Sequence, residues 1–138
     1  MAFSLADLLP QAPGLLPKWQ LVVAVMAVFN SVQNFATLKL TRRIYNVVPA
    51  SVTALQARTF AIWTLMSAVV RFYAAYNIHS KQIYDMALFS YLFAFAHFGS
   101  ELLIFRTAKL NIAVMSPVVV ASTSLIWMIM QYDYYVVS

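Results

Sequence analysis

The sequence predicts an all-α membrane protein, a bundle of four transmembrane helices. Hydrophobic residues fill 63% of its 138 positions and charged residues only 9%, where a soluble domain of this size carries roughly 25% charged residues. Four apolar runs, each near the ~20 residues that a helix needs to cross the hydrocarbon core, are separated by short stretches that hold most of the basic side chains. Such spans leave only loops and tails, with no room for a separate aqueous domain.

The inventory excludes several chemistries. Cysteine is absent, and there are two histidines, His79 and His97, and two glycines, Gly14 and Gly99. Disulfides, thiolate nucleophiles and zinc knots are therefore ruled out. Two histidines cannot furnish the cage of a di-iron membrane oxidase, and two isolated glycines cannot form the phosphate turn of a nicotinamide enzyme. No metal or cofactor is expected. The net charge of +5 is scattered between apolar runs rather than drawn into a stripe, so a charged membrane surface is the expected partner and nucleic acid is not.

Residues 1–17 bring Phe3, Leu5, Leu8 and Leu9, then Pro10, Pro13 and Pro17. No basic segment precedes an apolar one, so this is not a secretory signal. It reads as an interfacial tail broken by prolines, with disorder as the alternative. Residues 18–138 form a single transmembrane domain. Span one, 21–38, follows the boundary pair Lys18-Trp19. Asn30, Gln33, Asn34 and Thr37 share one helical face, with Ala24, Ala27 and Ser31 on or near it. Small and amide residues suit a neighbouring helix better than acyl chains.

Thr53 and Gln56 have capping-box spacing and open span two, 54–76. Arg58 and Arg71 lie just inside its two ends, thirteen residues apart and so on roughly opposite sides. They cannot share a partner, and Arg71 is expected to reach for its nearer interface. A polar turn over 77–82 leads to span three, 83–105, whose many aromatics point all round the helix. Most must face lipid or neighbouring helices, and a sterol-stacking surface is the alternative. Ser116-Pro117 reads as a cap and a first helical position, giving span four as 117–135. A helix that starts near Ile112 and kinks at Pro117 is the other possibility. Trp127, Tyr132, Tyr134 and Tyr135 form an interfacial belt at its far end.

Lys39, Arg42, Arg43, Arg58, Arg106 and Lys109 flank the first and third connections, against Lys18 and Lys81 on the other side. The positive-inside rule then places those connections in the cytosol and both termini away from it.

Polar residues inside the spans suggest one cluster. Residues level with each other across the second turn sum to about 159, which puts Arg58 level with Glu101. His97 lies one turn from Glu101 on the same face, and Asn34 is expected nearby. A cluster of Asn34, Arg58, His97 and Glu101 reads first as structural, compensating its own desolvation. A proton or ion relay is the alternative, and with it a small transporter. A triad of Ser100, His97 and Glu101 fails on geometry, because Ser100 and Glu101 diverge by about 100°. No catalytic residue is identified. Small residues on spans one and three suggest a homodimer.

Several blocks, in order, resemble the ergosterol biosynthetic protein 28 family: LPKW at Leu16–Trp19, VFNSVQ at Val28–Gln33, LTRRIY at Leu40–Tyr45, ARTFAIWTLMSAVVRFYAAY at Ala57–Tyr76, HFGSELLIFRTAKL at His97–Leu110 and STSLIWM at Ser122–Met128. The resemblance covers nearly all of the chain from Leu16. It implies a non-enzymatic multi-pass tether in the endoplasmic reticulum membrane. The partners it implies are the sterol C-4 methyl oxidase, the 3β-hydroxysteroid dehydrogenase/decarboxylase and the 3-keto sterol reductase, with the sterol C-24 methyltransferase as a further associate. Whether a sterol itself binds is left open. On this reading the basic loops, at Arg42, Arg43, Arg106 and Lys109, are where partners would dock.

Overall fold

The computed structural model describes residues 4–136, and these form helices and no strand. Phe3 and the last two positions of the transmembrane domain lie outside the described residues. Four long helices, α1 (Leu16–Ala36), α3 (Ala54–Tyr76), α4 (Lys81–Leu103) and α5 (Ile112–Met130), carry the fold. Between and after them come the short α2 (Lys39–Ile44) and α6 (Tyr132–Tyr135).

The spacing of small residues decides which helices meet. α1 buries Gln20, Ala24, Ala27, Ser31 and Asn34, in steps of three and four residues. α3 buries Ala57, Ala61, Thr64, Ala68, Arg71 and Ala75 in the same alternation. A repeat averaging 3.5 residues holds one seam toward a partner helix. Small side chains on both seams let the backbones approach closely, and α1 against α3 is the most extensive helix contact in the bundle. The small face of α1 is thus consumed within the protomer.

α4 repeats the alternation with large and small residues in turn, Tyr84, Ala87, Tyr91, Ala94 and Phe98. It packs on α3 and more broadly on α5. α1 and α4 therefore lie across the diagonal, joined by buried polar groups. Tyr91 Oη donates to Gln20 Oε1 (2.6 Å), and Gln20 Nε2 donates to Met128 Sδ of α5 (3.1 Å). Tyr84 Oη donates to the Met128 carbonyl (2.6 Å).

The outer surface is apolar: Phe29, Met66, Phe93 and Met130 are each at least 65% exposed. That surface suits lipid rather than water. α1, α4 and α5 are long and apolar enough to cross a membrane. α3 matches α4 at 23 residues but, with Arg58 and Arg71 in it, falls short of the same apolarity.

Helix bounds depart from expectation on three helices, and α1 and α4 also end two residues early, at Ala36 and Leu103. α1 begins at Leu16 rather than Leu21, because Pro17 sits in the first turn, where its missing N–H is not needed. α4 begins at Lys81, with Ser80 as its cap. α5 begins at Ile112 and not at Pro117, so the expected span of 117–135 is corrected at both ends. Asn111 provides the cap, its side chain accepting from the Val114 amide at 2.9 Å. Pro117 lies inside the helix near its start, where it removes only the bond to the Ala113 carbonyl. At the far end the helix stops at Met130, and Tyr132–Tyr135 forms a separate turn. Thr53 caps α3 as expected, accepting from the Gln56 amide (3.1 Å), but the reciprocal half of the box is missing, since Gln56 Oε1 finds no partner among the described residues.

The tail folds across the ends of α3 and α6. Tyr76 Oη donates to the Leu8 carbonyl (2.5 Å) and Tyr135 Oη to the Pro13 carbonyl (2.7 Å). Gly14 makes this possible: its φ of 82° is strained for other residues, and a Cβ there would collide with Tyr135 Oη.

Candidate functional site

The expected cluster of Asn34, Arg58, His97 and Glu101 does not assemble. Arg58 is exposed, and the one ion pair among the described residues is Lys81–Asp85 at 2.7 Å. Glu101 instead accepts from Thr107 Oγ1, and its backbone carbonyl accepts from the Thr107 amide (2.9 Å), so it organises the end of α4. His97 Nε2 lies 2.5 Å from Tyr45 Oη, with Trp63 packed edge-on against its ring. Burial first, and the negative Glu101 second, hold the Tyr45 phenol above its ordinary value, so it stays neutral at physiological pH. Asn34 accepts from Thr41 Oγ1 and ties α1 to α2. Of the four residues expected in one cluster, Asn34, His97 and Glu101 make separate hydrogen bonds and Arg58 is exposed.

Arg71 overturns a second expectation. It does not reach for the interface but is buried, at 7% exposure. Its Nε donates to Ser90 Oγ (3.2 Å) and its Nη2 to the Ser90 carbonyl (3.4 Å), while the guanidinium lies 4.2 Å from the centre of the Tyr91 ring. Among the described residues no carboxylate comes within ion-pair distance of it. Burying a guanidinium without a carboxylate is costly, and two hydrogen bonds to Ser90 and the face of Tyr91 are what the fold sets against that cost.

Two structural features stand out as candidate sites. The first is the end of the bundle where the basic connections lie. Asn46 Nδ2 donates to the Lys109 carbonyl (2.9 Å) while Asn46 Oδ1 accepts from the Lys109 amide (3.0 Å). Asn111 Nδ2 donates to the Arg43 carbonyl (2.9 Å), and the Val47 amide donates to the Thr107 carbonyl (3.2 Å). Two loops some sixty residues apart in sequence are thus stapled into one platform. Arg42, Arg43, Arg106 and Lys109 are all exposed on it. Arg106 holds φ at 56°, the left-handed region where glycine is the ordinary choice, so a basic side chain stands where the backbone does not favour one.

The second feature is a cavity of about 440 Å³ walled by all four long helices and α2. α1 and α5 meet at one end, where Trp19 Nε1 donates to Ser124 Oγ (2.8 Å) and Trp19 packs on Trp127. Toward the other end both helices line the cavity, through Phe29 and Gln33 on one side and Ile112 and Ser116 on the other. Its walls are mainly apolar, with Thr64, Ser67 and Arg71 as a polar stripe on α3. The spacing i, i+3, i+7 of those three residues was the sequence signal for this stripe.

From residue 16 to residue 126 the chain matches the family model described as Erg28 like protein. It is 49% identical over 123 residues to Ergosterol biosynthetic protein 28 of Saccharomyces cerevisiae, spanning 88% of this chain and 83% of that one. Ergosterol biosynthetic protein 28 of Schizosaccharomyces pombe is 49% identical over 114 residues, or 83% of this chain and 82% of its own. The Ergosterol biosynthetic protein 28 homolog of Mus musculus is 40% identical over 122 residues, covering 88% and 87%. No solved structure matches the chain.

Proposed function

The chain belongs to the Erg28-like protein family, and from that premise we propose that it is a non-enzymatic tether for sterol C-4 demethylation in ergosterol biosynthesis. Its partners are the C-4 methyl oxidase, the 3β-hydroxysteroid dehydrogenase/decarboxylase and the 3-keto reductase, with the C-24 methyltransferase as a further associate, all in the endoplasmic reticulum membrane. The stapled basic platform is the observation that carries this reading. It offers four exposed cations on a rigid support at one end of the bundle. Holding consecutive enzymes in one patch of membrane raises the effective concentration of each intermediate for the next enzyme. Deleting the protein should therefore let methylated or oxidised sterol intermediates accumulate while each enzyme, assayed singly with excess substrate, keeps its rate. Normal intermediate levels after deletion would sink the proposal.

α3 crosses the membrane as the fourth span in this reading, since it runs the length of α1 with its second arginine turned inward. The platform then faces the cytosol and both termini face the lumen. A cysteine in place of Ser4 should resist a membrane-impermeant thiol reagent applied from the cytosolic side, and ready labelling would reverse the topology. Self-association belongs to α4 rather than α1. Ala96 is exposed, and a Cβ at Gly99 would meet nothing within 4 Å. Crosslinking through this patch in native membranes should trap a dimer, and monomer alone at every reagent length would count against it.

A further inference from the structure

We propose that the cavity between the helices binds a lipid carboxylate, the acid group on Arg71 and the apolar body along the α1 and α5 walls. This rests on the tether reading for the identity of the lipid, but the site itself stands on geometry. Arg71 has five N–H donors, and among the described residues its hydrogen bonds are the two to Ser90. The remaining donors and the positive charge have no carboxylate partner among the described residues. Thr64 Oγ1, one heptad before Arg71 and 8% exposed as a residue, is likewise buried without a hydrogen-bond partner. Both residues line the same cavity.

Unpartnered donors at the wall of a mainly apolar chamber suit a ligand with an anionic head; Arg43 also lines the chamber but is exposed, which leaves Arg71 as its buried cation. The volume of about 440 Å³ lies within the roughly 300–1,000 Å³ usual for small-molecule pockets. Arginine matches a carboxylate in particular, because its planar fork offers two parallel N–H bonds. Ser67, one helical turn from Arg71, is the nearer hydroxyl for a polar group beside the acid, and Thr64 lies a turn further along the same wall. A methyl group lost as carbon dioxide must first be oxidised to a carboxylate. The oxidase therefore delivers, and the decarboxylase consumes, a sterol of this chemical class. The cavity would shelter that intermediate between the two enzymes. A free fatty acid shares the head-group chemistry and is the other source.

The test uses the full chain in lipid nanodiscs, with partition into protein-free discs subtracted. The probes are a sterol 4-carboxylic acid, its methyl ester and oleate. A charge-assisted hydrogen bond predicts that the acid binds roughly tenfold or more tightly than the ester. Arg71→Gln should remove that preference and Arg71→Lys should retain part of it. Equal binding of acid and ester by the unmodified protein overturns the proposal, and this comparison needs no variant that could misfold. An acid preference that survives in folded Arg71→Gln also overturns it. Oleate binding as tightly as the sterol acid would support the carboxylate site and assign it to fatty acids. Co-purification of the enzymes is read in parallel. Its absence beside an intact acid preference sinks the tether reading alone, and its presence beside equal acid and ester binding sinks the cavity proposal alone.

Discussion

Simultaneous charge reversal of Arg42, Arg43, Arg106 and Lys109 should weaken binding of the sterol enzymes by roughly a thousandfold, enough to abolish their co-purification, while leaving the bundle folded. Each exposed cation near an anionic surface is worth about 1 kcal/mol, so four reversed together remove several kcal/mol of attraction. The fold should survive because the platform is held by other groups. Asn46 and Asn111 make their bonds to the backbone of Lys109 and Arg43, not to the side chains. Arg42 loses one bond, from Nη2 to the Val52 carbonyl at 3.3 Å, which contributes about 1 kcal/mol. At position 106 aspartate is a suitable reversal, since it tolerates the left-handed backbone better than most residues. Undiminished co-purification by a variant of unchanged thermal stability would show that the platform is not a docking surface.

Ala61→Leu should destabilise the protein by about 1–3 kcal/mol or more, the usual cost of forcing extra methylenes into a close-packed interior. Ala61 has no exposed surface and sits in the α3 seam against α1, beside Ala57 and Thr64 in the same repeat. The leucine must push apart the largest helix contact in the bundle. Met66→Leu on the same helix is the control. Met66 is 67% exposed, and the swap should cost less than about 0.5 kcal/mol. Thermal unfolding in a mild detergent reads both. Equal stability of the two variants would mean that the seam is loosely packed and that the 3.5-residue repeat does not organise the fold.

The four long helices were legible because apolar runs and basic connections alternate so plainly, and the short α2 and α6 were not. The start of α5 was not, since Asn111 and Ser116 are both good caps and only the packing of the third connection chooses between them. The polar cluster failed for a reason of rotation rather than depth. The level rule that pairs Arg58 with Glu101 also puts Arg71 level with residue 88, close to Ser90, which it does contact. Two arginines on opposite sides of one helix cannot both face inward. The alanines at 57, 68 and 75 lie closer in angle to Arg71 than to Arg58. That repeat was present in the sequence and would have turned Arg71 in and Arg58 out. The stapling of the two basic loops was less accessible, since it depends on Asn46 and Lys109 meeting across the fold.

Reconstitution tests the central claim, organisation without chemistry, most directly. The purified oxidase, decarboxylase and reductase are placed in one set of liposomes at low surface density, with and without this protein. The account predicts that adding it raises the overall rate of C-4 demethylation and shrinks the pool of free intermediates, that the single-enzyme rates stay fixed, and that the gain disappears at high enzyme density. A protein that leaves the coupled rate unchanged at every density, or that alone converts a sterol or carries a solute across the liposome membrane, would contradict it.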